Sequence, residues 1–161
     1  MIKVLKFGGT SVGSAANMKK VAEIVRREQA RITVLSAMSG TTDSLVRISR
    51  AAVSGDRNAI EEQLVMLTDK YTRCIEELLR ERKQQALARM NATFGLIRDE
   101  AAAFEEYESV RKIIAQGELL TSAIFTAYLQ ETGLKAECLY SPDFMVKDPG
   151  EKVDTERIGR T

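Results

Sequence analysis

Ile2-Lys3-Val4-Leu5-Lys6-Phe7-Gly8-Gly9-Thr10-Ser11 is the stretch that decides the fold. Ile2 to Phe7 is short, β-favourable and apolar apart from Lys3 and Lys6, so it reads as a strand ending at Gly8-Gly9. From Ser14 to Glu28 the apolar positions Met18, Val21, Ala22 and Val25 follow helical spacing. Ile32 to Leu35 is a second short strand, closed by Ser36 and a polar loop reaching Gly40. Thr41 to Val53 is helical again, and Gly55 ends it. A strand, loop and helix repeated in this way predict a parallel sheet covered by helices.

The middle of the chain breaks that rhythm. Ile60, Leu64, Leu67, Tyr71, Cys74 or Ile75, and Leu78 step by threes and fours, as do Leu87, Met90, Phe94, Ile97, Ala101 and Phe104. Two amphipathic helices joined near Glu81 to Lys83 predict an antiparallel hairpin over about 57–104. Ser109 to Gln130 reads as one long helix stopped by Gly133. Leu134 to Tyr140 is a third strand candidate, and Phe144 to Val146 a weak further one. Lys147 to Thr161 has no clear apolar face and reads as loop or tail. The fold class is therefore α/β, with one domain piece over 1–147 and a tail over 148–161.

Composition narrows the chemistry. The 161 residues carry 24 Lys plus Arg and 23 Asp plus Glu, a formal charge of +1. That balance lacks the basic excess usual in a nucleic-acid binder, so none is expected as a partner. Histidine is absent. Ser-His and Cys-His nucleophile pairs, a histidine base and His-ligated zinc are thereby excluded. Cys74 and Cys138 lie far apart and read as reduced, mostly buried thiols of a cytoplasmic protein. No apolar run approaches the ~18 residues of a membrane span, and no signal peptide is visible.

Three constellations carry chemistry. In Lys6-Phe7-Gly8-Gly9-Thr10-Ser11, the glycines let backbone approach an anion, amides at a helix start donate to it, and Lys6 adds positive charge. The lysine precedes the glycines, so this is not a Walker A loop. An ordinary strand-to-helix turn is the competing reading. Ser36-Ala37-Met38-Ser39-Gly40-Thr41-Thr42-Asp43 also lies between strand and helix, hence beside the first loop, where open parallel sheets bind ligands. There Thr41 or Thr42 is expected to cap the following helix. In Gln116-Gly117-Glu118, a glycine inside a helix costs about 1 kcal/mol relative to alanine, and close approach by backbone or ligand is a reason to keep it. Glu118 is either an exposed surface residue or an acceptor for a ligand's ammonium group.

KFGGTSV at 6–12, VLSAMSGTTD at 34–43 and QGELLTS at 116–122 resemble, in order and spacing, the three N-terminal motifs of aspartate kinases, within the amino acid kinase family. The resemblance runs to about Lys147. It implies part of a three-layer α/β/α sandwich that passes the γ-phosphate of ATP to the β-carboxylate of L-aspartate, with Mg²⁺. It places Lys6 at the transferring phosphates, with the Gly8 and Gly9 amides, Thr10 and Ser11 beside them. It gives Ser36 and Thr42 to substrate aspartate or the reacting phosphoryl group, and Glu118 to the aspartate ammonium. The family's domain continues well past Thr161, so the chain is expected to be an amino-terminal part, inactive alone, of a monofunctional or homoserine dehydrogenase-fused parent. Another family member acting on a different carboxylate or carbamate, or a non-catalytic module using the hairpin, are the alternatives. Near-zero charge, an open sheet edge and the heptad-spaced helices lead to an expected dimer or higher oligomer.

Overall fold

The computed structural model describes residues 2–145. In chain order the elements are β1 (Val4–Phe7), α1 (Ala15–Glu28), β2 (Ile32–Leu35), α2 (Thr41–Ser54), α3 (Arg57–Leu78), α4 (Lys83–Ala102), α5 (Glu106–Glu131) and α6 (Ser141–Phe144). β1 and β2 pair in parallel, Val4 opposite Ile32 and Phe7 opposite Leu35. Paired residues share a face, so the pleat sorts the side chains into two sets. Leu5, Phe7 and Leu35 join the helical core. Val4, Lys6, Ile32 and Val34 form the other face, which the described residues leave open: Val4 is 55% exposed, Ile32 46% and Val34 45%.

The helices start and stop for local reasons. Ser14 accepts from the Asn17 amide at 3.2 Å and caps α1. Gly55, left-handed at φ 70, closes α2, and Asp56 caps α3 by accepting from the Ala59 amide at 3.0 Å. Between α3 and α4 the chain turns at 79–82. There the Glu131 carboxylate of α5 accepts from the Arg80 amide (2.7 Å) and the Arg82 amide (3.1 Å). A carboxylate at a helix start satisfies orphan N–H groups and meets the positive end of the helix dipole.

The helical hairpin forms as the spacing predicts, but its apolar stripes are consumed inside the chain. α3 buries Leu64, Leu67, Tyr71 and Ile75, α4 buries Met90, Phe94 and Ile97, and α5 adds Leu120, Ile124 and Phe125 to the same cluster. The Tyr71 and Phe94 rings meet edge to face at 5.8 Å. These stripes therefore do not supply the self-association surface expected from their heptad spacing.

Two further expectations change. Residues 134–140 form no strand among the described residues. The segment is tied to α5 instead, where the Gln130 side-chain Nε2 donates to the Ala136 carbonyl at 2.8 Å, and a strand needs a paired neighbour to persist. Phe144 ends the short helix α6, whose first turn holds a proline, a position that suits its missing N–H. The rest of the weak strand at 144–146 and the tail at 147–161 lie outside the described residues, apart from Met145. Both cysteines are free. Burial pushes the Cys74 thiol up to about 11, while Cys138 is half-buried.

A polar chain runs through this apolar core. Thr121 on α5 donates to the Gly117 carbonyl (2.8 Å) and accepts from the Met38 amide (3.1 Å). The Tyr71 hydroxyl stands 3.2 Å from the Thr121 hydroxyl and 3.2 Å from that of Thr41. Each hydroxyl has one proton, and the Thr121 proton is spent on Gly117. Tyr71 therefore donates to Thr121, and Thr41 donates to Tyr71. Burial pushes the Tyr71 phenol up, which keeps it protonated and able to donate. Tyr71→Phe removes the centre of this relay and leaves the buried Thr41 hydroxyl without its acceptor, at a cost of about 1–3 kcal/mol. Thermal unfolding should show a lower midpoint, by about 2–4 °C per kcal/mol lost. A variant that melts with the wild type would show that the relay is energetically idle.

Candidate functional site

The first loop leaves β1 at Gly8 and is shaped by its own backbone. The Ser11 amide donates to the Gly8 carbonyl at 3.0 Å, and the Asn17 side chain donates to the Thr10 carbonyl at 2.9 Å. Among the described residues no acceptor pairs with the Gly9 or Thr10 N–H groups. Those donors, just ahead of α1, are what an anion needs.

The second loop lies directly against the first. The Ser36 amide donates to Phe7 at 3.1 Å, extending the strand pairing, and the Ser39 amide donates to the Gly9 carbonyl at 3.1 Å. The contact is close enough to dictate the residue: a Cβ on Gly9 would stand 2.7 Å from the Ala37 carbonyl oxygen. Gly8 has open space where its Cβ would be. Thr41 and Thr42 do not cap α2 through their side chains. Gly40, left-handed at φ 77, is the cap, because the Thr41 hydroxyl is already committed to Tyr71.

The third motif closes on the second from α5. A Cβ on Gly117 would lie 3.0 Å from the Ala37 Cβ and 3.1 Å from side-chain carbons of Leu45 and Thr41. The expected close approach is therefore made by protein. It brings the start of α2 and the middle of α5 together, and Thr121, one turn on, holds Met38 from the same helix.

The anticipated residues fall into groups. Lys6 and Glu118 are exposed and make no ion pair among the described residues, so both charges are available to a ligand. Thr10 and Thr42 are exposed as well, whereas Ser11 and Ser36 are half-buried beside the backbone contacts that join the two loops. Sequence reasoning missed Tyr71 and Lys70. Tyr71 counted only as an apolar position of the hairpin, though a tyrosine at a core position calls for a hydroxyl partner. Lys70 donates to the Ser39 carbonyl. It lines a cleft of about 290 Å³ with Gly13, Ser14, Met38, Arg73 and Glu77. A second cavity of similar size lies between α4, α5 and residues 137–140, and shares no residue with the motif loops.

The two first-loop glycines separate by experiment. Gly9→Ala must push the loops apart, because the blocking atom belongs to backbone. It should cost about 1–3 kcal/mol of stability, as overpacking does. Gly8→Ala should unfold with the wild type in urea. Equal effects would mean that the loop contact is not what demands Gly9.

Residues 1–160 match the model of the amino acid kinase family. The chain is 33% identical over 142 residues to aspartokinase 1, chloroplastic, of Arabidopsis thaliana, covering 83% of this chain and 24% of that protein. It is 30% identical over 146 residues to an aspartokinase of Chlamydia muridarum, covering 90% of this chain and 31% of that one. Its backbone superimposes on Escherichia coli aspartokinase III solved with lysine and aspartate at TM-score 0.89, with 23% identity, covering 99% of this chain and 36% of the other. The chain thus spans about a third or less of the length of these relatives. Motif loops gathered at the strand ends, this shared fold and the match along nearly the whole chain lead to one conclusion: the chain belongs to the amino acid kinase family.

Proposed function

We propose that the chain is the amino-terminal part of an aspartate kinase, which passes the γ-phosphoryl group of ATP to the β-carboxylate of L-aspartate and yields 4-phospho-L-aspartate and ADP. The observation that carries this reading is the convergence of the three motifs: Ser39 on Gly9, and Gly117 on Ala37. The aspartokinase relatives support it, as does a second Escherichia coli aspartokinase III structure, with aspartate and ADP, at TM-score 0.83.

The residues suit the chemistry. A β-carboxylate is already ionised at neutral pH, so its attack needs no histidine base. What the transfer needs is alignment and neutralisation of developing charge. Lys6 supplies the charge, and the Gly8, Gly9 and Thr10 amides, with Ser11, supply donors for the phosphates. Ser36 and Thr42 hydroxyls donate to the substrate's carboxylate or the moving phosphoryl group, and Glu118 accepts from its ammonium. No group of three or more acidic or cysteine side chains suited to a metal occurs among the described residues. Magnesium would enter with ATP, held by the nucleotide's phosphates together with one or two carboxylates, as is usual for this ion.

The proposed domain piece is 1–147, with 148–161 leading towards the nucleotide half. The open sheet face of Val4, Ile32 and Val34 is where that half, or a second copy in a homo-oligomer, would pack. The product would feed the formation of amino acids derived from aspartate, lysine and threonine among them. A cytoplasmic setting is proposed; no helix among the described residues is long and apolar enough to cross a membrane.

A coupled assay with ATP and aspartate should give no turnover for the 161-residue chain alone. In a full-length enzyme carrying this segment, Lys6→Ala should lower kcat by about 10²-fold or more, since the lysine faces charge that shifts in the transfer. Glu118→Ala should raise KM for aspartate about 10–100-fold, the worth of a hydrogen bond to a charged group. Unchanged aspartate kinetics in Glu118→Ala would remove that residue from the site.

A further inference from the structure

Ser39 is gripped from two sides. Its amide donates to the Gly9 carbonyl at 3.1 Å, and its own carbonyl accepts from the Lys70 ammonium on α3. The next residue, Gly40, sits at φ 77, and its missing Cβ would lie 3.8 Å from the Lys70 nitrogen. One residue thus joins the first loop, the second loop and the hairpin.

We propose that Lys70 is a positioning residue for the site: by holding the Ser39 carbonyl from α3, it keeps the second loop in register against the glycine loop. This rests on the reading above that the two loops face the transferred group. The backbone bonds of this turn, from the Thr41 amide to the Met38 carbonyl (2.9 Å) and from the Ser44 amide to the Gly40 carbonyl (3.3 Å), pass over the Ser39 carbonyl, which no backbone amide among the described residues meets. Gly40 lacks a side chain, and both residues are exposed, so no buried apolar contact pins the peptide. Met38 before them is fixed by Thr121, and Thr41 after them by Tyr71. Lys70 supplies the restraint on the carbonyl between these anchors. Its ammonium sits partly desolvated in the cleft beside Gly13 and Ser14, which pulls its pKa below the usual lysine range. Burying part of a charge is unfavourable by itself, so a purely stabilising role is a poor account of a lysine here.

That last point makes the proposal separable from a structural tie. Lys70→Met removes the donor and relieves the desolvation, so thermal stability should change little. Amide NMR spectra of the 161-residue chain should instead show shifts confined to Gly8–Gly13 and Ser36–Asp43. Lys70→Arg, which keeps a donor, should return those signals towards wild type, and Lys70→Leu provides a second neutral variant without a donor should the methionine not fold. In a full-length enzyme carrying the segment, Lys70→Met should lower kcat about tenfold with KM for both substrates within about twofold, because misplacing a loop by a fraction of an ångström misaligns the transfer. Loop amides unmoved in the neutral variants, or shifts spread evenly through α3 and α4, would overturn the proposal. So would an unchanged kcat. A wild-type full-length enzyme that does not phosphorylate aspartate would instead remove the functional reading, and the spectra would still decide the role of Lys70.

Discussion

The buried hydroxyl relay from Thr121 through Tyr71 to Thr41 is the constraint on which the arrangement of the loops depends. It begins on α5, passes through α3 and ends at the first residue of α2, and it collects the Met38 amide on the way. Apolar packing alone could slide these helices by small amounts at little cost, because such contacts are non-directional. Hydrogen bonds between fully buried groups are directional, and leaving one unmade is expensive. The second loop is thus indexed against the helical core at both of its ends, and the first loop is indexed against the second through Ser39 and Gly9.

The glycines of the motifs serve proximity more than flexibility. Gly9 and Gly117 are both places where a methyl group would strike a neighbour, in one case a carbonyl oxygen and in the other three side chains. Only Gly40 in these motifs needs its left-handed backbone, and there it caps α2. Close approach at Gly9 and Gly117 brings three separated stretches of sequence to one place. Lys6 and Glu118, near these glycines in the chain, remain exposed and make no ion pair among the described residues.

The hairpin is more than a cover for the core. α3 sends Tyr71 inward to the relay and Lys70 sideways to Ser39, so adjacent residues on one helix meet the same loop from two directions. Its turn is in turn held by Glu131 at the far end of α5. α5 therefore grips the hairpin at one end and the second loop near its middle, which makes it the spine of the described structure.

The sequence by itself determined the local elements and the family. Short β-favourable runs, helical spacing of apolar residues, and Gly55 as a stop placed the two observed strands and the long helices within a few residues, because these choices rest on neighbouring side chains and on backbone preference. The three motifs were legible as stretches, and their joint resemblance identified the family. Tertiary structure alone decided how the motifs meet. Whether Gly117 approaches a ligand or Ala37, whether Thr41 caps a helix or joins a buried relay, and whether Lys70 is a surface charge or a tether depends on residues more than twenty-five positions away in the chain. Residues 134–140 show the same limit from the other side. Their composition suits a strand, but a strand exists only where another chain segment pairs with it, and among the described residues none does. Local preference is written in the sequence of each element, whereas contact between distant elements is settled by which surfaces can be buried together without leaving a polar group unmatched.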